Sequence, residues 1–161
     1  LARIDGWQNE WLNVRRRFEQ TAHSPFNWVA VAYADFESAA SPSINDVLDA
    51  AIETECSGLL IDTFSKTGIT LLDCCSVSQL NELAERCHAA GMFLALAGRL
   101  GRESLAALSR VPVDVIAVRS AACERSDRTA EVSVRAVTSF RKALLSSRPS
   151  SRDPLLQSVD S

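Results

Sequence analysis

Asp35, Asp62 and Lys66 stand at or just past the ends of two short apolar runs, where side chains could exchange protons with a carbonyl compound. Lys66 is one of only two lysines among 17 cationic residues, and it follows Leu59-Leu60-Ile61-Asp62-Thr63-Phe64-Ser65. An amine's pKa can be tuned by its surroundings, whereas a guanidinium stays charged. Lys66 could therefore act as proton donor, carbonyl-polarising cation or imine former. A solvated loop lysine has the same spacing, and either aspartate could equally be a helix cap or loop residue.

A second group of residues suits an anion. Gly98, then Arg119 followed by the small residues Ser120, Ala121 and Ala122, lets backbone amides approach a phosphate closely. Tight strand-helix packing would use the same small residues. Cys123 lies beside them in sequence, but no histidine is near to activate it, so an inert thiol is expected. His23 and His88 receive no catalytic role, and Asp127-Arg128 reads as a local ion pair steadying its loop.

The elements that must position these groups are four apolar runs: Val29–Tyr33, Gly58–Asp62, Phe93–Ala97 and Val113–Val118. Each has the form of a strand buried on both faces. Segments of helical period separate them, over Ile44–Thr54, Val77–Ala90 and Ser104–Leu108. Ser43 with Asp46 forms a capping box, Ser76 or Ser78 caps the next helix, and Gly91 closes it. An opening helix over Trp7–Gln20 carries a core stripe of Trp7, Trp11, Val14 and Phe18; a last helix over Ala130–Leu145 carries Val134, Val137 and Leu144. From Ser146 the chain is too polar to order itself.

Alternating strands and helices imply a parallel α/β sheet, either doubly wound or a (β/α)8 barrel. Four strands supply only half of a barrel. The reading is the C-terminal half of a TIM barrel over residues 1–145, with a disordered tail over 146–161.

The chain has 161 residues, 47% apolar and 23% charged, with a net charge of −3. No basic face offers itself to nucleic acid, and no apolar run approaches the roughly 20 residues of a membrane helix. Five scattered cysteines without a Cys-x-x-Cys pair, beside two histidines, fit neither a zinc site nor a disulfide framework. No metal or cofactor is expected, and the free thiols suggest a reducing, cytoplasmic setting.

Four motifs in order, Val31-Ala32-Tyr33-Ala34-Asp35, Leu60-Ile61-Asp62-Thr63 with Lys66 and Gly68, Leu96-Ala97-Gly98, and Val118-Arg119-Ser120-Ala121-Ala122-Cys123 before Asp127-Arg128, carry a resemblance. Together they resemble the (5-formylfuran-3-yl)methyl phosphate synthase family, from about Leu1 to Leu145. The resemblance implies a TIM-barrel lyase of methanofuran biosynthesis. Such an enzyme condenses two molecules of glyceraldehyde 3-phosphate, losing phosphate and water, through a lysine Schiff base. It implies catalytic roles for Lys66, Asp62 and Asp35, and phosphate binding by Gly98 and Arg119 to Ala122. It also places two further site lysines ahead of Leu1, a small residue where this chain has Arg99, and a glycine where it has Ser120.

The expected partner is a phosphosugar, with a homo-oligomer in the full-length form. A half-barrel alone leaves two edges and one apolar face uncovered, so this chain by itself is expected to be inactive and to dimerise, aggregate or unfold. A non-catalytic phosphosugar-binding or interaction module and a class I aldolase-like enzyme are the alternatives.

Overall fold

The computed structural model describes residues 6–23, 26–65 and 68–147. Lys66 and residues 148–161 of the expected tail lie outside the described residues. Strands β1 (Val29–Tyr33), β2 (Gly58–Asp62), β3 (Phe93–Leu96) and β4 (Val115–Ile116) form one parallel sheet in the order β1-β2-β3-β4. Parallel neighbours need crossover connections. These are provided by α2 (Phe36–Ala39) with α3 (Ile44–Glu53), by α4 (Leu71–Cys74) with α5 (Val77–Ala89), and by α6 (Leu105–Leu108). Helix α1 (Trp7–Thr21) precedes the sheet and α7 (Val134–Ser147) follows it.

The main crossover helices start where their side chains dictate. Ser43 Oγ accepts from the Asp46 amide at 3.2 Å while the Asp46 carboxylate accepts from the Ser43 amide. Ser76 and Gln79 make the same reciprocal pair at α5, and Gly91 follows that helix with φ +72°. The short helices α2 and α4 were not anticipated, because four residues show no period.

Val31, Leu60, Ala95 and Val115 stand side by side in the register, and Ala32, Ile61, Leu96 and Ile116 form the next row. Side chains alternate across a strand, so the rows face opposite ways. The second row's face is the core: Leu59, Ile61, Leu94 and Leu96 are fully buried together with Leu48 of α3 and Leu80 and Cys87 of α5. The first row's face is open, with Val29, Val31 and Val115 exposed at 40%, 51% and 47%. The expectation of strands buried on both faces is thus corrected for β1 and β4.

Other differences have local causes. Only Val115 and Ile116 of the run Val113–Val118 pair with β3. The last helix begins at Val134 rather than Ala130, because Val132 bridges Cys123 and the Ser133 amide donates to the Ala122 carbonyl at 2.9 Å. Its buried anchor is Phe140, whereas Val134 is 84% exposed, and the helix extends through Ser146 and Ser147. In α1, Trp7 and Trp11 stack at 5.7 Å and pack on the core, but Val14 and Phe18 face outward.

Candidate active site

All four strands run the same way, so their carboxyl ends share one rim of the sheet. Asp35 follows β1 and is almost buried. Its two carboxylate oxygens accept the backbone amides of Phe64 at 2.7 Å and Ser65 at 2.8 Å. Asp35 therefore clamps the loop that leads into Lys66. Tyr33 packs edge-on against Phe64 at 5.5 Å, which braces the same loop from the open face.

Asp62 ends β2 on the open face, half-buried, and accepts the Thr63 amide at 2.7 Å. It forms one wall of a polar cavity of about 250 Å³ beyond the ends of β2, β3 and β4. Arg99, Arg119 and Arg128 line the same cavity, so among the described residues one acidic and three basic residues contribute to its wall. Such a cavity favours an anion while leaving one proton-accepting group beside it. A larger cleft of about 360 Å³ beside β1 has no charged residue among the described residues that line it.

Gly98 is in the cavity wall with φ +102°, a conformation other residues rarely adopt. A Cβ there would lie 2.9 Å from Thr63 Cγ2 and 3.2 Å from the Thr63 amide nitrogen, and the Gly98 carbonyl accepts the Leu71 amide at 3.0 Å. This glycine joins the β2 and β3 loops and opens α4. Ser120 also lines the cavity. Ala121 and Ala122 lie in the adjoining 3-10 turn, where the Ala122 amide donates to the Arg119 carbonyl at 3.1 Å. That amide is committed to the turn.

Arg128 was not among the site residues expected from sequence. Asp127 does not pair with it as anticipated; its carboxylate accepts from the Thr129 hydroxyl at 2.7 Å and amide at 2.9 Å, which hold its pKa below the ordinary value. Arg128 lines the cavity, and its carbonyl accepts from Arg119 Nε at 3.2 Å. An Asp-x-Thr turn was the available signal. Arg99, Arg125 and Ser126 all have φ between +52° and +57°. Three left-handed non-glycine residues in these two loops are the kind of strain that tertiary packing must sustain.

The thiols contribute little. Cys123 is buried. Burial, followed by the charges of Asp35 and Asp73, pushes the Cys74 thiol up, so it stays protonated near neutrality. Among the described residues no cluster of three or more His, Cys, Asp and Glu could hold a metal ion, and no helix is long and apolar enough to cross a membrane.

A parallel sheet with its polar cavity beyond the strand carboxyl ends defines an α/β protein of the class that places its working residues on strand-end loops. The chain belongs to the 4-HFC-P synthase family, whose family model matches residues 2–141. A (5-formylfuran-3-yl)methyl phosphate synthase of Methanopyrus kandleri is 37% identical over 100 residues, 62% of this chain and 42% of that protein. The enzyme of the same name from Methanocaldococcus jannaschii is 34% identical, over 62% of this chain and 43% of its own length. A putative (5-formylfuran-3-yl)methyl phosphate synthase of Streptomyces griseus is 33% identical over 114 residues, 70% of this chain and 46% of that protein. The chain spans under half the length of these curated relatives.

Proposed function

We propose that the chain forms the C-terminal half of a TIM-barrel synthase making (5-formylfuran-3-yl)methyl phosphate from two molecules of glyceraldehyde 3-phosphate. The observation that carries this reading is the cavity whose lining combines Asp62 with Arg99, Arg119 and Arg128. A triose phosphate brings a dianion for the guanidinium groups and a carbonyl end for the acid-base groups. Gly98 and the Arg119–Ala122 turn shape the phosphate end, with Arg99 and Arg128 adding charge to it.

In this reading a lysine amine adds to a substrate carbonyl and water leaves, giving an imine that accepts the electron pair of a neighbouring C–H bond. Lys66 serves as the imine former or as the proton donor beside it. Asp62 takes and returns protons, and Asp35 positions the Lys66 loop through the amides of Phe64 and Ser65. The enamine carbon then adds to the carbonyl of the second triose phosphate, whose oxygen takes a proton; water hydrolyses the imine to free the lysine amine, and loss of phosphate and water closes the aromatic furan.

The test joins this chain to the portion of the Methanopyrus kandleri relative that it does not cover, then adds glyceraldehyde 3-phosphate with borohydride. Mass spectrometry should find a reduced lysine adduct in the trapped sample and, without borohydride, the furan aldehyde phosphate. Lys66→Ala and Asp62→Asn should each lower furan formation by about 100-fold or more. Furan output unchanged in both variants would overturn the assignment of roles. Phosphate binding without adduct or furan would favour a binding module instead.

A further inference from the structure

The loop that follows β4 is closed at its base, where Cys123 bridges Val132 and the Glu124 amide donates to the Glu131 carbonyl at 3.1 Å. Within it Arg125 and Ser126 hold left-handed φ of +52° and +57°, a conformation that the surrounding chain must sustain at non-glycine residues. Asp127 comes next. One oxygen of its carboxylate accepts the Thr129 amide at 2.9 Å and the Thr129 hydroxyl at 2.7 Å, while its carbonyl accepts the Ala130 amide at 3.1 Å. The Thr129 amide and the Arg128 carbonyl belong to the same peptide group, which is planar and trans, so its N–H and C=O point in opposite directions. Holding the N–H against Asp127 therefore aims the C=O away from it. This is the carbonyl that accepts from Arg119 Nε at 3.2 Å. A guanidinium held through Nε keeps its Nη1–Nη2 fork for an anion, and Arg119 and Arg128 both line the polar cavity.

We infer that Asp127 is a positioning residue for Arg119: by gripping the Arg128–Thr129 peptide, its carboxylate fixes the carbonyl that orients the Arg119 guanidinium for a phosphate group. The inference rests on the phosphate end of the proposed reading and on no step of its carbon chemistry. Two effects make this hold worth having at an exposed site. An arginine ordered in advance loses less side-chain freedom when the anion arrives. A carboxylate drawing on the peptide N–H also polarises the peptide and strengthens its carbonyl as an acceptor. The Thr129 hydroxyl and amide keep the Asp127 pKa below its ordinary value, so the carboxylate is charged at neutral pH. Charge alone predicts the opposite sign. A carboxylate that did nothing but stand near an anion site would repel the anion, and its removal would tighten phosphate binding. The positioning role predicts that its removal weakens binding.

Calorimetric titration of the full chain with inorganic phosphate at fixed ionic strength reads that sign. Asp127→Ala should raise the Kd by about 3- to 10-fold, whereas Asp127→Asn, whose amide oxygen still accepts the Thr129 N–H, should bind as tightly as the wild type or more so. In an Arg119→Lys background, which has no Nε–H to hold, Asp127→Ala should bring no further loss. Should Asp127→Ala fail to fold, Thr129→Ala decides, since it removes only the hydroxyl part of the hold. It should weaken phosphate by about 2-fold and speed the exchange of the Arg119 Nε–H with water, seen by NMR, with Thr129→Ser restoring both. Affinity unchanged or raised in Asp127→Ala, an equal loss in the Arg119→Lys background, or no saturable phosphate binding by the wild type would each overturn the inference. A loss of phosphate affinity in Asp127→Ala, with no furan from the joined protein, would uphold the positioning role while the synthase reading failed; furan formed with undiminished affinity would do the reverse.

Discussion

The two faces of the sheet are built from the same kinds of residue and have opposite fates. Leu59, Ile61, Leu94 and Leu96 are fully buried beneath α3 and α5, while Val29, Val31 and Val115 remain substantially exposed on the other side. Hydrophobicity along a strand therefore reports that a face can be covered, not that this chain covers it. The covered face should carry most of the fold's stability. The open face should matter for association and, at its carboxyl rim, for chemistry.

Truncation tests that contrast most severely. Ile61→Ala should lower the free energy of unfolding by about 2–5 kcal/mol, since it leaves a cavity in the buried layer. Val31→Ala, measured in dilute protein by the same urea titration, should change it by less than about 0.5 kcal/mol. Comparable costs at the two positions would mean that something covers the open face in solution. Gly98→Ala comes next, at about 1–3 kcal/mol, because it combines a left-handed φ with a Cβ pressed on Thr63. Ser76→Ala should cost about 1 kcal/mol by uncapping α5, the helix that roofs β3.

Much of this was legible in sequence because it depends on local chemistry. The first three strand runs, the Ser43 and Ser76 caps and the Gly91 helix stop all follow from residues within a few positions of one another, and each is found where expected, whereas the fourth run, Val113–Val118, pairs only at Val115 and Ile116. What escaped depends on distant partners. Nothing near Asp35 announces that its carboxylate will hold the amides of Phe64 and Ser65, 29 and 30 residues away. The Asp-x-Thr pattern signals that Thr129 engages Asp127, but not that the turn brings Arg128 to a cavity shared with Asp62 and Arg99, which are distant in sequence. Likewise, Val134 and Val137 fit a helical stripe but stay exposed, and only Phe140 reaches the core.

The smallest expected effect asks whether the covered face is closed to water. Cys75 and Cys87 lie in the buried layer, and burial pushes both thiols from the ordinary 9.0 up to about 11. A raised folded pKa means that the thiol stays protonated in the native protein at pH values where the unfolded chain has already ionised. Its contribution to stability is therefore complete below about pH 9 and is lost as the pH rises from 9 through 11. Unfolding midpoints followed across that range should fall with pH, and Cys87→Ala should flatten the fall even though it lowers every midpoint by removing a buried side chain. The slope is the informative quantity, because the cavity cost is the same at each pH while the ionisation cost is not. A slope unchanged by Cys87→Ala would mean that water reaches this thiol in the native state, and the covered and open faces would then differ less in solvation than their side-chain packing implies.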